Sequence, residues 1–346
     1  MAALCIASVE IAGKTALCAG IGKKFLGQGN KVGFMMPIMI TETGKPDCKD
    51  VESIKEVLNL KESVEQLCPT FSKDDLGKGL ADFEQKLKQE YARLSKDKDV
   101  MLIEGLSGFG LEKTATQAVF SIAESVDAKV IMMLRYSPLE DRSAVVEAAK
   151  KLGQRLLGVV VNFVPESRME IATEAEKIVF EKAGIKVLGV IPEVRSLLGV
   201  SVKELAEFLG GQILTGEDKV DGVVENIMLG AMSPDSGIDY FSRKANKAAV
   251  IRGERADMQL AALETSTRCL VLTGGVKPLP AVINQAKDKG VPIMLVKRDV
   301  SGVIADIEQA LAKASFNNPQ KLQKFENILN QFFDFKALYP QFGLQD

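Results

Sequence analysis

The stretch from Ser8 to Thr15 combines residue types that bind phosphate groups. It reads Ser-Val-Glu-Ile-Ala-Gly-Lys-Thr and follows an apolar run that begins at Ala2. Gly-Lys-Thr between a strand and a helix is typical of phosphate-binding loops, because glycine lets the backbone approach the ligand and N–H groups at the helix start attract anions. Lys14 would contact terminal phosphates, and Thr15 would coordinate Mg²⁺. The alternative is an ordinary tight turn between a strand and a helix.

The loop also departs from the usual pattern. Ser8 stands where that pattern has its first glycine, and Glu10 adds a negative charge near the expected polyphosphate. Val9 and Ile11 are β-branched, and such residues avoid positive φ. The sequence therefore predicts either a loop of non-standard conformation or a loop that has lost affinity. The residues that we expect to contact a nucleotide here are Ser8, Ala12, Gly13, Lys14, Thr15 and Ala16.

Two polar residues end predicted strands elsewhere in the first half of the chain. Glu104 follows an apolar run and would bind Mg²⁺ or orient a water molecule, with capping of a turn as the alternative. Asn162 is a candidate amide for the edge of a nucleotide base, with a turn-forming role before Pro165 as the alternative. Ligands of parallel sheets bind at the carboxyl ends of the strands, so both residues are expected near the loop.

These residues must be positioned by short apolar runs that alternate with segments of helical period. That alternation predicts an α/β fold with a mostly parallel sheet flanked by helices. The predicted strands are Ala3–Ala7, Lys31–Met36, Val100–Glu104, Lys129–Leu134, Leu157–Asn162 and Lys186–Ile191. The predicted helices are Lys14–Leu26, Val51–Leu58, Gly79–Leu94, Lys113–Ala123, Leu139–Leu152, Ser167–Ala183 and Ser201–Leu209.

The chain is predicted to contain two domains. Residues 1–214 form the first, residues 215–222 are a polar, glycine-bounded linker, and residues 223–315 form a second, smaller α/β domain. Residues 316–346 form a C-terminal helix and tail, in which Leu322, Phe325 and Leu329 recur at helical spacing. We expect this helix to pack on the second domain rather than to form a dimer contact.

Composition excludes several function classes. The chain of 346 residues contains no histidine, which removes His-dependent triads and His-ligated metals. Its net charge of −2 predicts neither a nucleic-acid nor an anionic-membrane partner. No apolar run approaches a membrane span, and no signal-peptide pattern is recognisable, so a cytoplasmic location is expected. Scattered cysteines indicate free thiols in a reducing compartment: Cys5, Cys18, Cys48, Cys68 and Cys269.

Together the motifs resemble the dethiobiotin synthetase-like P-loop family. The similarity is closer to the non-catalytic N-terminal region of long bacterial phosphotransacetylases. The matching segments are, in order, Gly13–Thr15, Val32–Pro37, Lys55–Leu60, Ile103–Gly105, Gly158–Asn162 and Leu188–Glu193. The second domain resembles a DRTGG domain through Arg252–Asp257 and Leu272–Gly275.

This resemblance implies roles for individual residues. Gly13, Lys14 and Thr15 would bind the phosphates of ATP, while Asp50 and Glu104 would lie near Mg²⁺. DRTGG domains accompany regulatory modules and pair with one another, which favours a homodimer. The second-domain residues expected to hold a ligand or a partner subunit are Glu254, Arg255, Asp257, Thr273, Gly274 and Gly275. Their alternatives are an exposed ion pair and a tight turn.

Met36 stands where dethiobiotin synthetases have a functional lysine, and an apolar side chain cannot stabilise a transferring phosphoryl group. We therefore favour a dimeric nucleotide-sensing regulator, with a metabolic enzyme as a candidate partner. A slow ATPase switch and an ATP-dependent ligase that phosphorylates carboxyl groups are the alternatives. The resemblance does not imply acetyl transfer. The ligase would need a replacement cation, for which the candidates are Lys23, Lys24, Lys31 and Lys45.

Overall fold

A computed structural model describes residues 2–40, 49–72, 80–138, 142–230, 237–312 and 319–343 of the chain. The chain divides into two compact units. The first contains Met1–Glu193 and Pro319–Asp346, and the second contains Val194–Asn318. Within the described residues, no helix has the length and apolar character needed to cross a membrane.

A parallel sheet forms the centre of the first unit. The strands of this unit are β1 (Ala2–Ser8), β2 (Val32–Met35), β3 (Ile38–Ile40), β4 (Thr70–Ser72), β5 (Val100–Ser107), β6 (Ala128–Arg135), β7 (Leu156–Val164) and β8 (Val187–Pro192). Six of them pair in the order β2-β5-β1-β6-β7-β8, all parallel, and β3 and β4 form a separate parallel pair. The six strands of the larger sheet are almost entirely buried, as expected for a parallel sheet covered on both faces.

Seven α-helices precede the second unit in the described part of the chain. They are α1 (Lys14–Gly27), α2 (Lys49–Val57), α3 (Val64–Leu67), α4 (Leu80–Leu94), α5 (Lys113–Ser125), α6 (Ser143–Leu152) and α7 (Met169–Lys182). Helices α1 and α5 contact the central strands β1 and β5, and α7 contacts β7 and β8. The predicted α/β fold of the first unit is confirmed.

The second unit is a smaller α/β structure. Its elements are α8 (Arg195–Leu198), β9 (Val200–Ser201), α9 (Val202–Leu209), β10 (Gln212–Thr215), β11 (Val223–Val224), β12 (Asn226–Leu229), α10 (Gly237–Phe241), β13 (Lys247–Arg252), α11 (Ala256–Leu263), β14 (Thr267–Thr273), α12 (Pro280–Asp288), β15 (Ile293–Leu295) and α13 (Val300–Ala312). The sheet order is β10-β15-β14-β13-β12, and its pairs are parallel except for β10 with β15. Alternate residues of β13 enter different core clusters, with Val250 in one and Ile251 in the other.

The second compact unit begins at Val194, whereas the sequence places the start of the second domain at residue 223, after the linker. The reason is that β10 pairs with β15, and the apolar face of α9 joins the core of the second sheet. Residues 215–222, predicted as a linker, contain the last residue of β10 and the 3-10 turn Glu217–Lys219.

The C-terminal helices α14 (Pro319–Phe332) and α15 (Tyr339–Phe342) belong to the first unit, so the predicted packing of the C-terminal helix on the second domain is wrong. Helix α14 contacts α1 so closely that a Cβ atom on Gly20 would lie 2.2 Å from Leu329 Cδ1. Phe333 then forms an antiparallel bridge with Gly189, and the Asp334 N–H donates to Leu188 O at 2.7 Å. This segment therefore covers the edge strand β8, which would otherwise offer unpaired backbone groups.

Candidate functional site

The loop between β1 and α1 continues the sheet before it turns into the helix. The Val9 N–H donates to Met133 O at 3.1 Å, and Val9 O accepts from the Gly108 N–H at 3.0 Å. Of the loop residues 8–15, all of which are described, Gly13 has the positive φ, +88°, and Val9 and Ile11 do not. Glycine thus takes the one conformation that β-branched residues avoid. Val9 is buried, and Ile11 is 82% exposed.

Gly13 also leaves the start of α1 open. It offers no side-chain cap, and the first helical turn contains no acidic residue. The first N–H groups of a helix have no partner within the helix, and the helix dipole makes this end positive. The site predicted at residues Ala12 to Ala16 is therefore an uncapped helix N-terminus that can accept a phosphate group.

Lys14 is held by two hydroxyl groups. Its Nζ donates to Ser8 Oγ at 3.0 Å and to Ser107 Oγ at 2.6 Å. Ser8 is fully buried, and its own hydroxyl donates to Glu10 O at 2.6 Å. Ser8 thus fixes both the loop backbone and the ammonium group, at the position where the usual pattern has glycine.

Thr15 and Glu104 form the second part of the site. The Thr15 hydroxyl lies 3.0 Å from Glu104 Oε1 and 3.4 Å from Asp50 Oδ2. Glu104 is 6% exposed, and its Oε2 is buried with no hydrogen-bond partner within the described part of the chain. Burial raises the pKa of Glu104 to about 7, the Asp50 charge adds to this rise, and Lys14 and the Thr15 hydrogen bond oppose it.

This donor set fits Mg²⁺ bound together with a ligand. Mg²⁺ takes oxygen ligands and is often held by one or two carboxylates plus substrate phosphates. Thr15, Asp50 and Glu104 supply one hydroxyl and two carboxylates, and the partnerless oxygen of Glu104 is a ready ligand. The described residues hold no cluster of three or more Cys, Asp and Glu side chains that could bind a metal by themselves.

Asn162 lies beside the loop but uses its amide within the protein. Its Nδ2 donates to Ala12 O at 2.9 Å, and its Oδ1 accepts from the Phe163 N–H at 2.8 Å. Phe163 has φ +60°, which is uncommon for an aromatic residue, so this hydrogen bond supports a strained backbone. In this arrangement Asn162 braces the loop, and a nucleotide base would have to displace one of its two hydrogen bonds.

The carboxylate of Glu10 points away from the helix start. Its Oε1 accepts from the Arg135 N–H, at the end of β6, at 2.9 Å. The Arg135 guanidinium lies 4.5 Å from the centroid of the Phe163 ring, and one of its nitrogens lies 3.9 Å from Glu193 Oε1. The negative charge that the sequence placed near the polyphosphate is therefore directed to the neighbouring strand.

The three predicted replacement cations that the structure describes lie away from the site. Lys23 pairs with Glu326 at 2.5 Å, and Lys24 donates to Asn330 Oδ1 at 3.1 Å, so both face α14. Lys31 precedes β2, at the amino edge of the sheet, whereas the loop lies at the carboxyl edge. Lys45 lies outside the described residues, as does Cys48. Met36 is half-buried directly after β2.

In the second unit, the predicted residues gather at the carboxyl ends of β13 and β14. Arg255 pairs with Asp257 at 2.8 Å on the surface, and Glu254 is exposed beside them. Thr273 is buried and ends β14. Gly274 and Gly275 have φ of +81° and +70°, and their N–H groups donate to Arg298 O and Val296 O. These contacts form a tight turn next to an exposed ion pair.

Two residues at the first site were not singled out from the sequence. Ser107 ends β5, and Arg135 ends β6, so both lie on strands that neighbour β1. The signal that could have found Ser107 is a hydroxyl residue within the Glu-Gly-Leu-Ser-Gly stretch that begins at Glu104. No comparable signal marks Arg135.

Comparison with known proteins agrees with this architecture. A family model described as an AAA domain matches residues 3–201, and one described as a DRTGG domain matches residues 204–310. Phosphate acetyltransferase of Haemophilus influenzae is 23% identical over 360 residues, covering 93% of this chain and 50% of that protein. The ATP-dependent dethiobiotin synthetase of Methanococcus vannielii is 24% identical over 189 residues, covering 52% of this chain and 87% of that protein. The resemblance stated from the motifs is confirmed.

The chain spans about half the length of the phosphate acetyltransferase that it matches. Among solved structures, it aligns with the CBS and DRTGG domains of the regulatory region of Clostridium perfringens pyrophosphatase, which was solved with the activator diadenosine tetraphosphate. That alignment has a TM-score of 0.30 and 18% identity, and it covers 42% of this chain and 70% of the other.

Proposed function

The chain belongs to the AAA domain family that matches residues 3–201, and from this membership we propose that its first unit binds ATP with Mg²⁺ and acts as a nucleotide-sensing regulatory module. One observation carries the proposal. The uncapped start of α1, the Lys14 ammonium and the Thr15–Glu104 pair meet at one end of the sheet. Together they supply N–H donors, a positive charge and metal ligands, which are the groups that a nucleoside triphosphate with Mg²⁺ requires.

Each residue has a distinct task in this proposal. The N–H groups from Gly13 to Ala16 bind the inner phosphates. The Lys14 ammonium donates two hydrogens to its hydroxyl partners and uses its third to contact the terminal phosphates. Thr15, Glu104 and Asp50 would hold Mg²⁺, which would neutralise part of the phosphate charge. Asn162 keeps the loop in shape through Ala12, and the nucleotide base lies near it.

A regulatory role is favoured over phosphoryl transfer to a substrate. Met36 cannot stabilise a transferring phosphoryl group, and Lys23 and Lys24 are committed to α14. Acetyl transfer is not part of the proposal, because the alignment with phosphate acetyltransferase covers half of that protein. A slow ATPase that switches a partner protein shares the same site and is separated from simple sensing by a turnover assay.

The second unit supplies the regulatory output in this proposal. Its match to a DRTGG domain supports a homodimer formed through the turn at Gly274 and Gly275 and the Arg255–Asp257 pair. A metabolic enzyme in the cytoplasm is the proposed partner. Light scattering with ATP, ADP and no nucleotide measures whether the bound state changes the assembly.

Calorimetric titration of Mg-ATP and Mg-ADP into the purified protein tests nucleotide binding directly. We expect binding to the wild type, and loss of binding in Lys14→Ala, because the phosphates lose their one loop cation. Lys129→Ala is the matched control, since Lys129 Nζ donates to Gln154 O away from the site and its removal should leave affinity unchanged. Absence of binding to the wild type would overturn the proposal.

A further inference from the structure

We propose that Ser107 makes this site select nucleoside triphosphates over diphosphates, by donating its hydroxyl hydrogen to the terminal phosphate. The inference rests on the proposed nucleotide binding at the loop and assigns the residue that distinguishes a triphosphate from a diphosphate. It follows from where Ser107 lies, from which of its hydrogen-bonding capacities are used, and from its contact with Lys14.

Ser107 is brought to the loop by strand pairing. Strand β5 lies beside β1 in the sheet, and Ser107 is the register partner of Ser8, the first residue of the loop. A register shift between Ile6 and Ser8 lets the end of β5 reach this position. The hydroxyl of Ser107 therefore lies at the carboxyl edge of the sheet, on the side of the loop opposite β6.

The hydroxyl of Ser107 has no strong acceptor for its hydrogen among the described residues. Its oxygen accepts from Lys14 Nζ at 2.6 Å and lies 3.3 Å from the Ser8 hydroxyl oxygen. That long contact leaves the hydrogen available to a charged ligand, and the Ser107 side chain is exposed. Ser8 differs, because it is fully buried and its hydrogen is directed to Glu10 O at 2.6 Å. Of the two hydroxyls on Lys14, Ser107 is the one that can donate to a ligand.

The contact with Lys14 places this hydrogen near the outer phosphates. A lysine at this position of a phosphate-binding loop contacts the β- and γ-phosphates, and a diphosphate has no γ-phosphate. A phosphate oxygen paired with the Lys14 ammonium therefore comes within reach of the Ser107 hydroxyl, which already touches that ammonium. A hydrogen bond to a charged phosphate oxygen is stronger than one between neutral groups.

The inner phosphates do not need this donor. They lie over the backbone N–H groups at the start of α1, which any nucleoside diphosphate also engages. A diphosphate lacks the third phosphate group that would lie against both Lys14 and Ser107, so the hydrogen of Ser107 meets no phosphate oxygen. Ser107 thus contributes to the affinity for a triphosphate alone.

Calorimetric titration of Mg-ADP and of a non-hydrolysable Mg-ATP analogue into three forms of the full chain tests this inference. The wild type should bind the analogue more tightly than ADP. Ser107→Ala should weaken analogue binding by about tenfold, the effect of one hydrogen bond to a charged group, and leave ADP binding unchanged. Ser107→Thr keeps the hydroxyl and should keep the selectivity. Because Ser107 is exposed, both variants should fold, which circular dichroism checks.

The outcomes separate this inference from the proposed function. If Ser107→Ala binds both nucleotides as the wild type does, with the same preference for the ATP analogue, the inference about Ser107 is overturned and the proposed function stands. Equal weakening of both nucleotides also overturns it, because that result assigns Ser107 a role in loop structure. If the wild type binds neither nucleotide, the proposed function fails and the inference fails with it. Loss of selectivity in Ser107→Ala together with its retention in Ser107→Thr supports the inference.

Discussion

Thr15 Oγ1 lies 3.0 Å from one oxygen of Glu104, while the other oxygen of this carboxyl is buried without a hydrogen-bond partner in the described part of the chain. Burial is the main cause that raises the pKa of Glu104 from 4.5 to about 7. The unfolded chain ionises this group at its ordinary pKa, so the folded protein binds the proton more tightly. Stability of the metal-free protein therefore falls as pH rises from 4.5 through 7.

Glu104→Gln should remove this pH dependence. Glutamine keeps an acceptor oxygen for Thr15 and carries no charge, so the buried group no longer has to ionise. We expect the free energy of unfolding at about pH 8, without metal or nucleotide, to rise by on the order of 2 kcal/mol. Urea unfolding of both proteins at about pH 5 and pH 8 with a chelator measures the difference.

Nucleotide binding should respond to Glu104→Gln in the opposite direction. An amide oxygen is a weaker Mg²⁺ ligand than a carboxylate, so the dependence of ATP affinity on Mg²⁺ should decrease. Glu124→Gln, an exposed change on α5, is the control and should alter neither stability nor Mg²⁺ dependence. If Glu104→Gln is less stable than the wild type at about pH 8, burial of the charged Glu104 carboxylate does not destabilise the folded protein as assigned.

Gly13→Ala should disable the loop. Gly13 has φ +88°, and a Cβ atom there would lie 3.0 Å from Asn162 Nδ2. The positive φ alone should cost about 1–2 kcal/mol of stability, and displacement of Asn162 should remove its brace on Ala12 and with it nucleotide affinity. Thermal unfolding and the Mg-ATP titration measure these two effects.

Gly27→Ala is the matched control for the glycine substitution. Gly27 ends the same helix, and a Cβ atom there would have no neighbour within 4 Å. Reduced freedom of the unfolded chain should raise stability by about 0.4–1 kcal/mol, with nucleotide affinity unchanged. Equal loss of nucleotide affinity in Gly13→Ala and Gly27→Ala would contradict the claim that nucleotide binding depends on the loop conformation at Gly13.

The sheet of the first unit was predictable because its strands are short apolar runs that alternate with longer segments of helical period. Strands β3 and β4 and helix α3 were not predicted, since three or four residues give no measurable period. The C-terminal helix shows a different limit. Leu322, Phe325 and Leu329 indicate that one face of α14 is buried, but an apolar stripe does not say which surface it contacts.

The candidate site also contains features that were predictable from the sequence and features that were not. Lys14, Thr15 and Glu104 were predictable because strand order places them at one edge of the sheet. The direction of Glu10 was not, because its partner, the N–H of Arg135, is distant in the sequence and is brought near by the pairing of β1 with β6. Asn162 was predicted near the loop, but its hydrogen bonds to Ala12 and Phe163 depend on a backbone conformation that the sequence does not encode locally.

Leu329→Ala should destabilise the first unit. Leu329 is buried between α14 and α1, against Gly20, which has no side chain to fill a space left there. We expect a loss of about 2–5 kcal/mol, as for other buried leucines that leave a cavity. Gln323→Ala on the exposed face of α14 should change stability by less than about 0.5 kcal/mol. Equal unfolding midpoints for the two variants would contradict the packing of α14 on α1.

Lys247 should limit the stability of the second unit near neutral pH. Its side chain is buried, its Nζ donates to Ser266 O at 2.9 Å, and no salt bridge to it is present within the described residues. Burial lowers the pKa of Lys247 from 10.5 to about 8. Between these two values the unfolded chain binds more protons than the folded protein, so stability gains from rising pH in this window.

Lys247→Met tests this assignment, because methionine fills similar space without a charge. The variant should be more stable than the wild type at about pH 7, by on the order of 2 kcal/mol less the lost hydrogen bond to Ser266. The difference should shrink toward about pH 10, where the wild-type lysine is neutral when folded. Other groups that titrate in this range are shared by both proteins and cancel in the comparison. Urea unfolding of both proteins between about pH 7 and pH 10 measures the difference in their free energies of unfolding. A difference that stays constant over this range would show that the charge of Lys247 is not the cause.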